Sequence, residues 1–138
     1  MTKNFLRLLS VLSMLLIVVS AASAGSEALV VNIPFDFRLG DTPLSSGSYI
    51  ISLSGANQVL KITSQDRSEK AISLSIPGPA PRNRTKSFLV FSRYGDINFL
   101  SEVYWGDSGT LRQVLKSDTE IEVGKTTPAV RVIASSNR

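Results

Sequence analysis

Between Leu29 and Phe37 every second residue is large and apolar: Leu29, Val31, Ile33, Phe35 and Phe37. A period of two places all five on one face of an extended strand, whereas on a helix they would scatter around the circumference. Burying such side chains is worth about 1.5–3 kcal/mol each before conformational entropy is subtracted. A chain that carries this run must supply further strands to cover it. Pro34 falls on the opposite phase and cannot donate a ladder hydrogen bond, which marks an edge strand or a bulge.

The same alternation recurs downstream in shorter pieces. Gly40-Asp41-Thr42-Pro43 and Ser45-Ser46-Gly47 read as turns. Ser48 to Ser54 reads as a strand with Tyr49, Ile51 and Leu53 on one face and Ile50 opposite, and Gly55-Ala56-Asn57 closes a hairpin into Gln58 to Ser64. After the polar turn Gln65-Asp66-Arg67-Ser68, Ile72, Leu74 and Ile76 alternate against Ser73 and Ser75. Ser87 to Trp105 forms a hairpin about Gly95-Asp96, a favoured two-residue connection. It sets Tyr94 opposite Ile97, Ser92 opposite Phe99, Val90 opposite Ser101 and Phe88 opposite Val103. Phe91 then lies with Leu100, and Leu89 with Glu102, on the other face. Both faces are substantially apolar, so the hairpin is either covered on both sides or offers an exposed aromatic platform; cross-strand aromatic pairs favour the core.

Thr110 to Leu115 adds a short strand and Ala129 to Ala134 the last, with Ser135 to Arg138 as a frayed tail. Two patterns compete between them. Ser117 and Glu120 have capping-box spacing with Gly124 as a C-cap, while Thr119, Ile121 and Val123 alternate as in a strand; the caps favour one short helix. The fold class expected is therefore all-β: a single antiparallel β-sandwich or small β-barrel of about seven to eight short strands, with one short helix near the C-terminus.

The N-terminus reads differently. Lys3 and Arg7 precede a twelve-residue apolar stretch, Leu8 to Val19, interrupted only by Ser10 and Ser13, and Ala22-Ser23-Ala24 supplies small residues at a cleavage site. This is the pattern of a secretory signal peptide over residues 1–24, cleaved after Ala24, leaving one domain over 25–138. A retained anchor is the rival, since Phe5 to Ala24 is long enough to span a bilayer. Its last five residues are Ser and Ala, however, and no positive cluster follows. No Cys marks a lipoprotein site. The expected localisation is exported, periplasmic or extracellular, with no membrane-spanning segment after cleavage. Without Lys3 and Arg7 the chain has 13 cations against 11 anions, a net of +2, an ordinary surface and no nucleic-acid footprint. With no Cys there is no disulfide, and stability rests on packing and hydrogen bonds.

Candidate chemistry is sparse. The chain has neither His nor Cys, which removes the commonest general base, thiolate catalysis and sulfur-ligated metals. No G-x-S-x-G elbow or Ser-x-x-Lys pair occurs. Two suitably separated carboxylates suffice for a glycosidase, and Asp36, Asp41, Asp96 and Glu102 are the candidates. Asp118, Glu120 and Glu122 are oxygen donors two apart, without the spacing of a calcium loop. No cofactor or metal is expected.

Pro77-Gly78-Pro79-Ala80-Pro81 should be extended and exposed. It leads into Arg82-Asn83-Arg84-Thr85-Lys86, with three cations in five residues and an Asn-x-Thr sequon; an anion contact and a solvated loop are its two readings. Tyr94, Tyr104, Trp105, Arg82, Arg84 and Lys86 are the candidate binding surface. The reading that follows is a non-enzymatic exported domain acting by surface contact with a protein, a cell-surface polymer or a small ligand. The alternative is a carboxylate-dependent hydrolase acting on a polysaccharide.

The segments Val31-Asn32-Ile33-Pro34-Phe35-Asp36-Phe37, Leu44-Ser45-Ser46-Gly47-Ser48-Tyr49, Arg93-Tyr94-Gly95-Asp96 and Phe99-Leu100-Ser101-Glu102-Val103 resemble small exported proteins of uncharacterised function that are abundant in acidobacterial genomes. In that family the second segment runs Leu-Pro-Ala-Gly-x-Tyr, where this chain has Ser45 and Ser46. The resemblance implies an exported, β-rich protein and adds no chemistry.

Overall fold

The computed structural model describes residues 28–54, 56 and 59–136, and in it the Leu29–Phe37 run breaks at Pro34. The signal peptide expected over 1–24, the turn residues expected at Gly55 and Asn57, and the last two residues of the expected tail lie outside the described residues. The break yields β1 (Ala28–Ile33) and the short β2 (Phe37–Leu39), a correction to the single strand expected. Pro34 supplies no N–H, and the chain leaves one ladder there for another. β1 keeps its phase: Leu29, Val31 and Ile33 face the core and Ala28, Val30 and Asn32 face out.

After β2 come β3 (Thr42–Leu44), β4 (Gly47–Ser54), β5 (Val59–Ser64), β6 (Lys70–Pro77), β7 (Phe88–Tyr94), β8 (Ile97–Trp105), β9 (Thr110–Val114), α1 (Asp118–Thr126) and β10 (Val130–Ser135). Ten strands exceed the seven to eight expected because β2 and β3 hold three residues each, too few to show a period. The fold is all-β with one short helix near the C-terminus.

A ladder path runs β1-β4-β5-β6-β9-β8-β2-β3, with β7 on the other side of β8 and β10 beyond β7. Every pairing is antiparallel except a parallel contact of Arg38 in β2 with Phe99 in β8. The sheet curls around one core to which all ten strands contribute, the aliphatic residues of β1, β4 and β5 meeting Phe37, Leu89, Phe91, Leu100 and Trp105. It does not close into a barrel. Ser136 bridges the ends, its Oγ donating to the Val30 carbonyl at 3.3 Å and its N–H to the Ser87 carbonyl at 3.0 Å. Ser135 and Ser136 are therefore held, not frayed.

The β7–β8 register begins as expected, with Tyr94 opposite Ile97, Ser92 opposite Phe99 and Phe91 opposite Leu100. It then shifts, so that Val90 pairs with Glu102, Leu89 with Val103 and Phe88 with Tyr104. The cause is a bulge that absorbs Ser101. With strict alternation Glu102 would follow Leu100 into the core; the extra residue resets the phase, so Val103 and Trp105 point inward with Leu100 and Glu102 points out.

The other face of this hairpin carries a second apolar cluster, Phe88, Val90, Tyr104 and Leu111. The Pro-rich segment covers it. Gly78 N–H donates to the Leu111 carbonyl at 3.0 Å, and a Cβ on Gly78 would overlap the Leu111 side chain. The Arg84 carbonyl accepts from the Tyr104 hydroxyl at 2.7 Å, and the Arg84 guanidinium lies 5.4 Å from the Phe88 ring centre.

α1 covers the far end of the same face. Ser117 caps it, Oγ accepting from Glu120 N–H. Gly124, expected as the C-cap, instead lies inside the helix against the Tyr94 ring, and Thr127 is the cap. Tyr94 OH donates to Glu120 Oε1 at 3.2 Å, where the carboxyl is buried. Desolvation pushes the Glu120 carboxyl above its ordinary value, against the pull of the Tyr94 hydrogen bond and the Lys116 charge. The folded chain thus holds this proton more tightly than the unfolded chain, and stability falls as pH rises from the ordinary glutamate value through the raised one. Glu120→Gln should therefore melt above the wild type at about pH 7 and level with it at about pH 4, read from melting temperatures across that range. Among the described residues no helix is long and apolar enough to cross a membrane.

Candidate functional site

Three open clefts adjoin at one end of the sheet, where the β1–β2, β3–β4, β5–β6 and β7–β8 connections gather. One, of about 420 Å³, is lined by Asp36, Arg38, Ser45, Glu69, Asp96 and Asn98 among others. A second, of about 620 Å³, lies between the serine-rich Ser45–Tyr49 loop and the Ser64–Glu69 turn. A third, of about 390 Å³, shares Asp36, Asp96 and Asn98 with the first.

Each polar group at this end is positioned from below. Asp36 follows Phe35, whose ring stands edge-on to Phe91 at 4.9 Å and carries the Arg93 guanidinium 5.6 Å from its centre. Arg93 Nε donates to Asn98 Oδ1 at 2.8 Å, and Asn98 Nδ2 donates to the Asp36 carbonyl at 3.1 Å. The Asp36 carboxylate accepts from Ser46 N–H at 2.8 Å. Asp96 enters from the β7–β8 turn, where Gly95 takes a positive φ of 60°, open to glycine at no steric cost.

Glu69 is held by the tightest network. Its carboxylate accepts from Tyr49 OH at 2.7 Å, Ser45 Oγ at 3.0 Å and Ser45 N–H at 3.1 Å. These donors hold it below the usual carboxylate range, Tyr49 first and Ser45 next. Burial and the facing Glu69 push the Tyr49 phenol well above its ordinary value, so its proton stays in place. The turn that delivers Glu69 is fixed by Asp66, whose Oδ1 accepts from Ser64 Oγ, Ser68 Oγ and Ser68 N–H at 2.6–3.0 Å. Those bonds lower the Asp66 carboxyl to about 2.

The residues singled out from sequence fare unequally. Asp36 and Asp96 come together at the clefts. Asp41 occupies the β2–β3 turn. Glu102 faces outward and pairs with Arg131 at 3.6 Å, away from the clefts. Tyr94, Tyr104 and Trp105 are only 5, 2 and 3 % exposed and form no surface platform. The Trp105 indole N–H is buried without an acceptor among the described residues. Arg82, Arg84 and Lys86 are exposed at the opposite end of the sheet, Arg84 over Phe88. Glu122 pairs with Lys125 at 2.6 Å while Glu120 turns inward to Tyr94, so the acidic spacing on α1 does not converge. Glu69 was not signalled by sequence, because its role depends on Ser45 and Tyr49, 24 and 20 residues away.

Scanned against protein-family models, curated proteins and solved structures, the chain finds no match.

Proposed function

We propose that the chain is an exported, non-enzymatic binding domain that engages a hydroxyl-rich polymer, a glycan of the cell surface, through the clefts at the strand ends. The observation that carries this reading is the sharing of Asp36, Ser45, Glu69, Asp96 and Asn98 among adjoining open clefts. Saccharide hydroxyls each donate and accept, and recognition favours fixed carboxylates beside amide and guanidinium donors with some apolar surface for C–H edges. Arg38 and Asn98 supply donors there, and Pro43, Leu44 and Ile97 supply the apolar part. Glu69, held ionised by three donors that leave its carboxylate room for about one more, suits accepting a hydrogen bond and not giving a proton to a leaving group.

The hydrolase reading retains one supporting observation, the shared cleft of Asp36 and Asp96. A glycan panel separates the two. Asp36→Asn and Asp96→Asn should each weaken binding about tenfold or more, a charge-assisted hydrogen bond being worth about 1.5–3 kcal/mol, with the melting temperature unchanged. New reducing ends whose release both variants abolish would establish the hydrolase instead. No binding to any glycan would end both readings.

A further inference from the structure

β6 is inverted relative to a solvated strand. Its serines, Ser73 and Ser75, share the inward phase with Ala71, while Ile72, Leu74 and Ile76 point out, at 68, 57 and 47 % exposure. The reason for the small inward residues lies on β9: the buried Arg112 donates from Nε to Ser75 Oγ at 3.0 Å and from Nη2 to the Ser75 carbonyl at 2.6 Å, filling the space a larger residue would need. That explains what points in and leaves the outward aliphatics unaccounted for. Leu115, also about half exposed, stands beside Leu74, its N–H bonded to the Leu74 carbonyl. On β5 Val59 pairs with Leu74 and extends this patch, while the exposed Val30 and Ile50 pair across β1 and β4 as a second apolar spot beyond Lys61 and Thr63.

The charges on this face have one sign. Lys61 lies directly opposite Ile72, Lys70 opposite Thr63, and both lysines are exposed. β1, β4, β5 and β6 contain no Asp or Glu at all. A contiguous exposed apolar patch marks an interaction site, and the absence of carboxylates from these four strands defines the partner's charge. A second copy meeting face to face would set lysine against lysine.

We infer that the outer face of β5 and β6 docks on an anionic phospholipid bilayer, the aliphatic side chains of β6 entering the interface and Lys61 and Lys70 meeting the headgroups. None of the strand-end cleft residues takes part, so this inference stands independently of the glycan reading.

Because the chain has no native cysteine, a single introduced one carries a unique environment-sensitive dye. The full chain labelled at Ile72→Cys should shift to the blue on vesicles of phosphatidylcholine with about 30 % phosphatidylglycerol, and far less on phosphatidylcholine alone. A label at Glu122→Cys, on α1, should not shift. Reversing Lys61 and Lys70 to Glu should weaken the partition at least about 25-fold, about fivefold per lysine lost, and high salt should weaken it in the wild type. Leu74→Asp should abolish the shift while leaving the circular dichroism spectrum intact, since the residue is exposed. No shift at position 72, equal shifts at both positions, or a partition indifferent to the lysines would overturn the inference. So would a sedimentation-equilibrium dimer that Leu74→Asp dissociates with no vesicle response, which would make this face a self-association surface.

Discussion

Phe91→Ala should cost about 3–5 kcal/mol of folding stability, the range for truncating a fully buried aromatic in a core that collapses only partly. Phe91 is completely buried on β7. It stands edge-on to both Phe35 and Phe37, at 4.9 Å and 5.6 Å between ring centres, a geometry that contributes beyond area alone. It therefore supports both sides of the break that separates β1 from β2. Phe35 also carries Arg93, which reaches the Asp36 backbone through Asn98, so the damage should extend to the clefts. Urea unfolding should show a lower midpoint with an unchanged slope, and Phe91→Leu should recover most of the loss because it keeps most of the volume. A loss below about 1 kcal/mol for the alanine variant would remove Phe91 from the core.

Gly106→Ala should destabilise by about 3 kcal/mol, at the upper end of overpacking costs. A Cβ there would overlap the Thr85 carbonyl and crowd the Lys86 backbone. Unlike the tip of a flexible side chain, this backbone cannot give way locally. The 84–87 segment must lift, breaking the bond from Gly106 N–H to Ser87 Oγ at 2.9 Å and that from Tyr104 OH to the Arg84 carbonyl. Hydrogen exchange should then accelerate in β7 and β8 around Phe88 and Tyr104 as the second cluster is uncovered. Exchange unchanged from the wild type, with the melting temperature intact, would mean that the Pro-rich segment does not cover that cluster.

What was legible in the sequence was whatever depends on neighbours within about four residues. The alternation of Leu29, Val31 and Ile33, the Tyr49-Ile51-Leu53 face, the Gly95-Asp96 turn and the Ser117 cap each follow from local chemistry and appear where expected. What was not legible depends on partners far along the chain. The Ser101 bulge is required only because Glu102 would otherwise enter the core. Gly124 looked like a terminator and instead lies within α1 against the Tyr94 ring. The small inward residues of β6 follow from Arg112, 37 residues from Ser75. The aromatic residues at the hairpin ends looked like a binding platform because sequence cannot show the cover that the 78–87 segment and α1 give Tyr104 and Tyr94, nor that Trp105 points into the core. At the clefts Asp36 and Asp96 could be named in advance, but their proximity and the part played by Glu69 required the tertiary fold.

The central claim, a polar recognition site at the strand ends, is tested most directly by amide NMR of the folded domain titrated with the glycans of the panel. Shifts confined to Asp36, the Ser45–Ser46 loop, Glu69 and the Asp96–Asn98 turn, with β6 silent, are the predicted result. Shifts centred elsewhere, or none at saturating saccharide, would contradict it.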